Sequence, residues 1–162
     1  MTSLILKRAN AITVVSEGSA QDFSSAFPSC VKKITVIPNA IFSEDILKLK
    51  DEKITHPFLD EDKYPVILSA GRLTASKNFS FLLETFALVL KNTDARLIIL
   101  GDGIERATLE KQAEKLGIFS FVSFPGNVSN PYAYMNRCDV FALTSLYEGL
   151  PSVLIEALTC GC

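Results

Sequence analysis

Short apolar runs alternate with amphipathic helical patterns through the second half of the chain, and this alternation restricts the fold more than any other feature. The apolar runs fall at residues 66–70, 97–100, 122–124 and 140–143. The helical patterns fall at residues 78–90, 105–116 and 131–137. Apolar strands that alternate with amphipathic helices are typical of a parallel sheet covered on both faces. The pattern therefore predicts an α/β fold with such a sheet from residue 65 onward.

The apolar positions of the two longer helical patterns each form one stripe. The first stripe contains Phe79, Leu82, Leu83, Phe86 and Leu90, and the second contains Leu109, Ala113 and Leu116. Stripes with this spacing pack against a core. We therefore expect these side chains to be buried.

Two earlier parts of the chain have different patterns. Residues 11–15 and 34–37 are typical of strands on either side of a short helix, so residues 1–41 are interpreted as the closing part of a separate α/β domain. Residues 42–64 are rich in Lys, Asp and Glu and are interpreted as a linker or crossover. We expect His56 to be exposed there, and the acidic residues to be solvated, namely Glu44, Glu52, Asp60, Glu61 and Asp62.

The sheet predicted for residues 65–162 lacks a closing element. A helix that begins near Ser152 ends at Gly161, and the sequence ends at Cys162, where another strand is expected. We therefore expect this domain to be truncated at its carboxyl end and the sequence to be a fragment of a longer protein.

Composition and charge narrow the class of protein. The 162 residues are 48% hydrophobic and 21% charged, which is typical of a globular chain. A net charge of −2 and a pI near 5.4 give no general attraction to nucleic acid. Only three consecutive apolar residues precede the basic pair Lys7-Arg8, too few for a signal peptide or a membrane span. These features predict a cytoplasmic protein that does not bind nucleic acid.

The cysteines and the single histidine do not indicate a metal site. Cys30, Cys138, Cys160 and Cys162 contain no Cys-x-x-Cys pair, and His56 is the only histidine. Zinc sites usually combine several such ligands at short spacings. We therefore predict no metal site and no Cys-His nucleophile, and we interpret the cysteines as reduced, mostly buried thiols.

Two glutamates bracket the start of the last helix. Glu148 follows the final strand and its turn, and Glu156 lies within the apolar helix. The N–H groups at a helix start attract anions, so a ligand with phosphates and hydroxyls, such as a nucleotide sugar, would suit the pair. In a purely structural alternative, Glu148 stabilises the helix start and Glu156 is solvated. The apolar helix favours the ligand, because a carboxylate on a mostly buried element needs a partner.

Two cations follow the first strand of the same sheet. The strand leads into Gly71-Arg72-Leu73, and Lys77 precedes Asn78, the expected N-cap of the next helix. Arg72 can donate two parallel hydrogen bonds to phosphate oxygens, and Lys77 can act as a point charge. Taken alone, surface ion pairing explains both residues equally well. Since ligands bind at the carboxyl edge of such sheets, the two glutamates expected there favour a shared phosphate.

Glycine-containing turns follow the next two strands. Gly101-Asp102-Gly103 and Gly126-Asn127-Val128 both lie at the edge where a ligand is expected. Backbone geometry alone often requires such turns, and this is the favoured interpretation of the second one. Neither turn has the third glycine of a dinucleotide-binding fingerprint. An NAD-dependent enzyme is therefore the least favoured class.

Together these motifs resemble the retaining, GT-B-fold glycosyltransferases of group 1 type, which use nucleotide sugars. The matching segments are Gly71-Arg72-Leu73 with Lys77, Gly101-Asp102-Gly103, Phe124-Pro125-Gly126, Asp139-Val140-Phe141, Ser145 to Pro151, and Glu156-Ala157-Leu158. The similarity is strong over residues 65–162 and weaker over residues 11–41. It implies a Rossmann-like nucleotide-sugar-binding domain preceded by the end of an acceptor-side domain.

The resemblance implies a role for each site residue. Arg72 and Lys77 would hold the donor diphosphate and stabilise the departing nucleotide, and Glu148 would bind hydroxyls of the donor sugar. The implied nucleotide-sugar-binding residues are Gly71, Gly101, Gly126, Asn127, Val128, Gly149, Leu150 and Glu156. Among them, Glu156 would bind the ribose hydroxyls.

The implied reaction transfers a sugar from a nucleoside diphosphate to a glycan or lipid-linked acceptor with retention of configuration. The acceptor would attack on the face that the nucleotide leaves, and a leaving-group oxygen would help to remove its proton. The resemblance implies no metal and no cofactor besides the donor substrate. It implies a cytoplasmic protein and leaves peripheral association with the inner face of the membrane open.

Two other functions stay open. One is a non-catalytic nucleotide-binding module, and the other is a nucleotide-sugar epimerase, which would need no acceptor. Because the resemblance implies that the acceptor pocket lies in sequence before Met1, we expect this chain to hold a nucleotide weakly without transferring sugar. The donor base, the sugar and the acceptor do not follow from the sequence.

Overall fold

The computed structural model describes residues 5–6, 8–60 and 63–162. Residues 1–4, Lys7, Glu61 and Asp62 lie outside the described residues. The predicted solvation of Glu61 and Asp62 therefore concerns residues outside the described part of the chain. The prediction that no signal peptide is present also rests largely on residues outside it. The described residues divide into two compact units, the first comprising residues up to Ile41 with Glu148–Ser152, and the second Phe42–Tyr147 with Val153–Cys162.

The first unit contains two short parallel strands. Strand β1 (Ile12–Val14) pairs with β2 (Ile34–Val36), and helix α1 (Glu17–Ala26) lies between them in the chain. Ser16 sets the start of α1, because its hydroxyl accepts a hydrogen bond from the Ser19 N–H at 3.2 Å. The strand–helix–strand order is the one predicted from the sequence.

The second unit contains a four-stranded parallel sheet. Its strands, in spatial order, are β5 (Val122–Gly126), β4 (Arg96–Leu100), β3 (Val66–Ala70) and β6 (Val140–Phe141). All neighbouring pairs are parallel, as the apolar runs predicted. Strand β6 is shorter than the predicted run 140–143, although the Ala142 N–H still donates to the Leu68 carbonyl at 2.8 Å.

Helices cover both faces of this sheet. In chain order they are α2 (Glu44–Leu49), α3 (Pro57–Asp60), α4 (Phe79–Val89), α5 (Arg106–Lys115), α6 (Pro131–Arg137) and α7 (Ser152–Cys160). Alternate residues of β4 enter different buried clusters, with Leu97 and Ile99 in one and Ile98 and Leu100 in the other. Successive strand side chains point to opposite faces, so each face has its own core. The predicted α/β class is confirmed.

Most residues of the predicted helix stripes are buried, but Leu90 is only half-buried and Leu116 is exposed. Phe79, Leu83, Phe86 and Leu109 are at most 2% exposed. Leu116 is 37% exposed, so its predicted burial is wrong. The reason is that α5 ends at Lys115, and Leu116 lies at its C-cap beyond the face that packs on the core.

The expected exposure of His56 is also wrong. His56 is only 7% exposed, and its Nε2 lies 3.0 Å from the Ser123 hydroxyl of β5. Its Nδ1 accepts a hydrogen bond from the Phe58 N–H at 3.2 Å, so Nε2 carries the ring proton and donates to Ser123. Burial lowers the pKa of His56, partly offset by the Asp60 carboxylate. The histidine therefore anchors this segment to the sheet in its neutral form.

Two acidic residues expected to be merely solvated also form specific bonds. Glu52 accepts a hydrogen bond from the Asn130 side-chain amide at 2.8 Å, and Asp60 pairs with Arg137 at 3.2 Å. Ile46 and Leu59, on α2 and α3, are buried in a core cluster. The sequence between Phe42 and Asp60 is thus packed structure, because its scattered apolar residues reach the core.

The cysteines of the described residues are free thiols. Cys30 and Cys160 are buried, whereas Cys138 and Cys162 are half-buried, with their Sγ atoms 3.0 Å apart. Burial and the neighbouring Cys162 thiol raise the pKa of Cys138. This thiol therefore has little thiolate character at neutral pH.

The strand order reverses at β3. Strand β3 pairs with β4 on one side and with β6 on the other. In open parallel sheets, ligands bind beyond the carboxyl ends of the strands at such a reversal. The loops that leave the sheet there are residues 71–78 after β3 and residues 142–147 after β6.

Candidate functional site

Backbone hydrogen bonds join the glycine turns at the carboxyl edge of the sheet. The Gly71 N–H donates to the Leu100 carbonyl at 3.0 Å, and the Gly101 N–H donates to the Gly126 carbonyl at 2.8 Å. The parallel pairing therefore continues past β3 and β4 into their turns. Three glycines predicted to bind the nucleotide lie along this one edge.

Gly101 approaches Gly71 more closely than any other residue type would permit. A side-chain carbon added to Gly101 would lie 2.1 Å from the Gly71 carbonyl oxygen, and the Gly101 φ of +116° is one that residues with side chains rarely adopt. Backbone geometry alone is thus sufficient to require this glycine. Both glycines are half-buried.

The Gly101–Gly103 turn also fixes the backbone around Arg72. The Leu73 N–H donates to the Asp102 carbonyl at 3.0 Å, and the Glu105 N–H donates to the Leu73 carbonyl at 3.1 Å. Leu73 is completely buried, whereas Arg72 is exposed. The loop therefore has a fixed backbone from which the guanidinium group extends toward solvent.

A shallow cavity of about 200 Å³ opens at this edge. Its lining residues are Ala70, Gly71, Leu100, Gly101, Asn127, Val128 and Pro131. The structure thus brings together Gly71, Gly101, Asn127 and Val128, which the sequence placed in three separate turns. Gly126, also predicted, precedes Asn127 and is buried with a φ of +83°.

A second cavity, of about 400 Å³, lies within the same unit. It is lined by residues 50–55 together with Asn136 and Arg137. Arg137 is committed to structural bonds, donating to the Ile54 carbonyl at 2.9 Å and pairing with Asp60 at 3.2 Å. No residue of this cavity was predicted to bind a ligand.

Asn130 holds the helix that borders the first cavity. Its side-chain oxygen accepts from the N–H groups of Tyr132 and Ala133, which begin α6, at 3.1 and 3.3 Å. Its amide group donates to the Leu49 carbonyl at 2.7 Å and to Glu52 at 2.8 Å. One buried asparagine therefore caps α6 and ties it to the end of α2 and the turn that follows.

Lys77 lies beside Gly71. A side-chain carbon added to Gly71 would lie 3.6 Å from Lys77 Cε, so the aliphatic part of the lysine runs along this glycine. Lys77 is half-buried and ends a short 3₁₀ turn, Ala75–Lys77. The cation expected to hold a phosphate is thus next to a glycine that lines the cavity.

Asn78 precedes α4 as expected, but it does not cap the helix with its side chain. Its φ is +53°, in the left-handed region, and its side chain makes no capping hydrogen bond. Asparagine adopts this region more readily than most residues. Asn78 therefore supplies a sharp change of direction between Lys77 and the helix.

The loop after β6 fastens this turn. The Thr144 hydroxyl lies 3.2 Å from the carbonyl oxygens of both Lys77 and Asn78. The Leu146 N–H donates to the Ser76 carbonyl at 2.9 Å. The loops that flank the strand reversal are thus bonded to each other.

Arg106 braces the glycine turns from the start of α5. It donates to the Phe124 carbonyl at 2.7 Å and to Glu110 at 2.9 Å, and it lies 3.8 Å from Asp102. These contacts link the turn after β4 to strand β5. The four-residue spacing of Asp102, Arg106 and Glu110 was a sequence signal for this brace.

Glu156 is half-buried in α7. Burial raises the pKa of its carboxyl, and it forms no ion pair or hydrogen bond with the described residues. The pKa of Tyr132 in α6 is also raised, mainly by burial and secondly by the negative charge of Glu156. The carboxylate thus carries a desolvation cost that hydroxyl donors from a ligand would reduce.

Glu148, Gly149 and Leu150 belong to the first unit, whereas the other predicted site residues belong to the second. Glu148 is exposed. A side-chain carbon added to Gly149 would lie 3.1 Å from the Val15 side chain and 3.4 Å from the Ser19 hydroxyl. Gly149 therefore packs where α1 begins, which gives it a structural role within its own unit.

The fold and the cavity define an α/β protein of the class that binds ligands at the carboxyl edge of a parallel sheet. The sequence model of the family described as "Glycosyl transferases group 1" matches residues 50–162. This chain belongs to that family. The expectation of a group 1 glycosyltransferase with the GT-B fold is thus confirmed.

Known proteins of similar sequence and structure agree with this membership. The N-acetylgalactosamine-N,N'-diacetylbacillosaminyl-diphospho-undecaprenol 4-alpha-N-acetylgalactosaminyltransferase of Campylobacter jejuni is 35% identical over 162 residues, which are 100% of this chain and 42% of that protein. HepE of Anabaena, crystallised with UDP and glucose, is 26% identical with a TM-score of 0.75, over 94% of this chain and 43% of that chain. TarM of S. aureus shares the fold, with a TM-score of 0.76 and 22% identity. The match covers 96% of this chain and 29% of the TarM chain.

This chain thus spans less than half the length of each of these proteins. In the part of the sequence that the structure describes, no helix is both long enough and apolar enough to cross a bilayer.

Proposed function

We propose that the protein transfers a sugar from a nucleoside diphosphate donor to a glycan or lipid-linked acceptor, with retention of configuration. This chain provides the donor-binding part. The observation that carries the proposal is the cavity in which Gly71, Gly101, Asn127 and Val128 meet at the carboxyl edge of the sheet. Membership of the group 1 family and the UDP in the HepE structure support a nucleotide as its occupant.

Arg72 and Lys77 supply the positive charge that the reaction needs. Breaking the anomeric bond leaves additional negative charge on the diphosphate, and cations held in place beforehand lower the barrier where that charge develops. The Arg72 backbone is fixed by its buried neighbour Leu73, and the Lys77 chain runs along Gly71. Arg72 donates to two phosphate oxygens, and Lys77 acts as a point charge.

The two glutamates bind hydroxyl groups. The family resemblance alone assigns Glu148, with the N–H groups near Gly149 and Leu150, to the donor sugar. Glu156 accepts from the ribose hydroxyls. Its raised pKa supports this role, because a half-buried carboxylate that has no hydrogen bond or ion pair with the described residues gains most from ligand donors.

Retention and metal independence are parts of the proposal that rest on the family resemblance. The acceptor attacks the face that the nucleotide leaves, and a leaving-group oxygen removes its proton. No side chain is assigned as a nucleophile. The protein acts in the cytoplasm on glycan or lipid-linked acceptors, a choice supported by the diphospho-undecaprenol in the name of the Campylobacter relative.

Calorimetric titration of this chain with UDP, GDP and ADP tests donor binding. One of the three is expected to bind, and Arg72→Ala to weaken that binding by roughly tenfold or more. Lys91→Ala, which removes an exposed cation at the end of α4, is the matched control and leaves the affinity unchanged. The proposal is contradicted if none of the three nucleotides binds, or if Arg72→Ala binds the nucleotide as tightly as Lys91→Ala does.

Transfer is tested with a longer polypeptide that contains this chain. The expected product is a glycoside with the donor's anomeric configuration, and Arg72→Ala slows its formation about a hundredfold to a thousandfold. A changed nucleotide sugar without an acceptor indicates the epimerase. Binding without turnover indicates the non-catalytic module, and an inverted product contradicts retention.

A further inference from the structure

The turn that carries Lys77 is bonded to a residue 67 positions away in the chain. The Thr144 hydroxyl lies 3.2 Å from the Lys77 carbonyl and 3.2 Å from the Asn78 carbonyl. A hydroxyl has one proton, which it shares between the two oxygens. Thr144 is half-buried, so water competes only partly for these bonds.

The backbone at this point needs support. Asn78 has a φ of +53°, in the left-handed region that residues with a side chain adopt only uncommonly. Bonds within the turn, such as Lys77 N–H to the Thr74 carbonyl at 3.0 Å, hold one side of it. Thr144 holds the other side, and its β-branched side chain is stiff about χ1.

The direction of the Lys77 side chain depends on this turn. Its aliphatic chain runs along Gly71, which lines the cavity. A side-chain carbon added to Gly71 would lie 3.6 Å from Lys77 Cε. A lysine that has to be ordered during binding loses side-chain entropy, whereas one directed beforehand loses less. Fixing the carbonyls before and after the Asn78 Cα, those of Lys77 and Asn78, therefore favours phosphate binding.

We propose that Thr144 is a positioning residue for Lys77, through which it raises the affinity of the site for a nucleoside diphosphate. The inference rests on the proposed function, since it concerns the same site. Thr144 does not touch the ligand. It acts by holding the backbone from which the Lys77 ammonium group extends.

Calorimetry with UDP, or with whichever of the tested diphosphates binds, measures the effect. Thr144→Val keeps the shape and removes the hydroxyl, and it weakens binding about threefold to tenfold. Thr144→Ser keeps the donor and retains most of the affinity. Thr85→Val is the matched control, because the Thr85 hydroxyl also donates to a carbonyl, that of Phe81 at 2.8 Å, on the exposed side of α4. It leaves the affinity unchanged.

A double-mutant cycle separates positioning from a general loss of structure. If Thr144 acts through Lys77, the Lys77→Ala, Thr144→Val double variant binds no more weakly than Lys77→Ala alone. If the loss of affinity in the double variant is the product of the losses in the two single variants, the inference is wrong. It is also wrong if Thr144→Val leaves the affinity unchanged. Neither result affects the proposed function. If Lys77→Ala binds like the unmodified chain, both the inference and the phosphate role of Lys77 are wrong.

Discussion

The carbonyl oxygen of Gly71 occupies the space that a side chain on Gly101 would fill, only 2.1 Å from the position of its first carbon. This contact joins the turns after β3 and β4, and both glycines line the cavity assigned to the nucleotide. Packing thus requires a glycine at a position that also lines the proposed donor site.

Gly101→Ala is expected to destabilise the protein by at least about 2 kcal/mol, because strain at a positive φ adds to a direct clash with backbone. Urea denaturation measures the loss. Gly117→Ala is the control, since Gly117 also has a positive φ, +71°, but has nothing within 4 Å of an added carbon. It is expected to cost only about 1 kcal/mol. Equal losses would show that the close approach to Gly71 has no energetic weight.

Stability is expected to fall as the pH drops below 6.5, because of His56. Its pKa in the folded protein is lower than the ordinary 6.5, so the unfolded chain binds the proton more readily. The stabilising contribution is complete above pH 6.5 and is lost as the pH falls toward the folded pKa. Thermal unfolding between pH 7.5 and 5.5 measures this slope.

His56→Gln removes the titrating group and is expected to flatten that slope. At pH 7.5 it is less stable by about 1 kcal/mol or more, since it disturbs the bonds with Ser123 and Phe58. A slope that is unchanged by the substitution would show that another group controls the pH dependence.

Glu156→Gln is expected to stabilise the protein at neutral pH and to weaken nucleotide binding. Burial raises the folded pKa above the ordinary 4.5, so stability from this group is present below pH 4.5 and is lost as the pH rises through the folded pKa. Glutamine removes that loss, and it also removes the acceptor for ribose hydroxyls. Denaturation at pH 7 and pH 4, together with calorimetry, checks both effects.

Glu114→Gln provides the comparison for Glu156. Glu114 is exposed on α5, so its substitution should change neither stability nor binding appreciably. A Glu156→Gln variant that is less stable at pH 7, or that binds the nucleotide as tightly as before, would contradict the assignment of Glu156.

The sequence predicted the centre of the sheet well because β3 and β4 are buried on both faces. Such strands appear as apolar runs whatever their neighbours, so β3 and β4 were located within one residue. The segment from Phe42 to Asp60 was interpreted less well. Its buried residues are few and separated by charges, and the partner that buries His56 is Ser123, 67 positions away.

The site was predictable where it follows strand ends. Turns after neighbouring parallel strands meet at one edge, which is why Gly71, Gly101 and Asn127 could be grouped before their contacts were known. Thr144 had no comparable signal, because its bonds reach a turn distant in sequence. The sequence also contained no signal that Gly149 belongs to the first unit, where it lies close to the side chain of Val15, which is distant in sequence.

Amide chemical-shift mapping during titration with the diphosphate that binds shows whether the nucleotide occupies the cavity at the carboxyl edge of the sheet. The largest shifts are expected at Gly71, Gly101, Asn127 and Val128, which line the cavity of about 200 Å³. Shifts confined to residues 50–55, Asn136 and Arg137, which line the second cavity, would contradict this expectation. So would the absence of shifts at a nucleotide concentration that saturates the calorimetric signal.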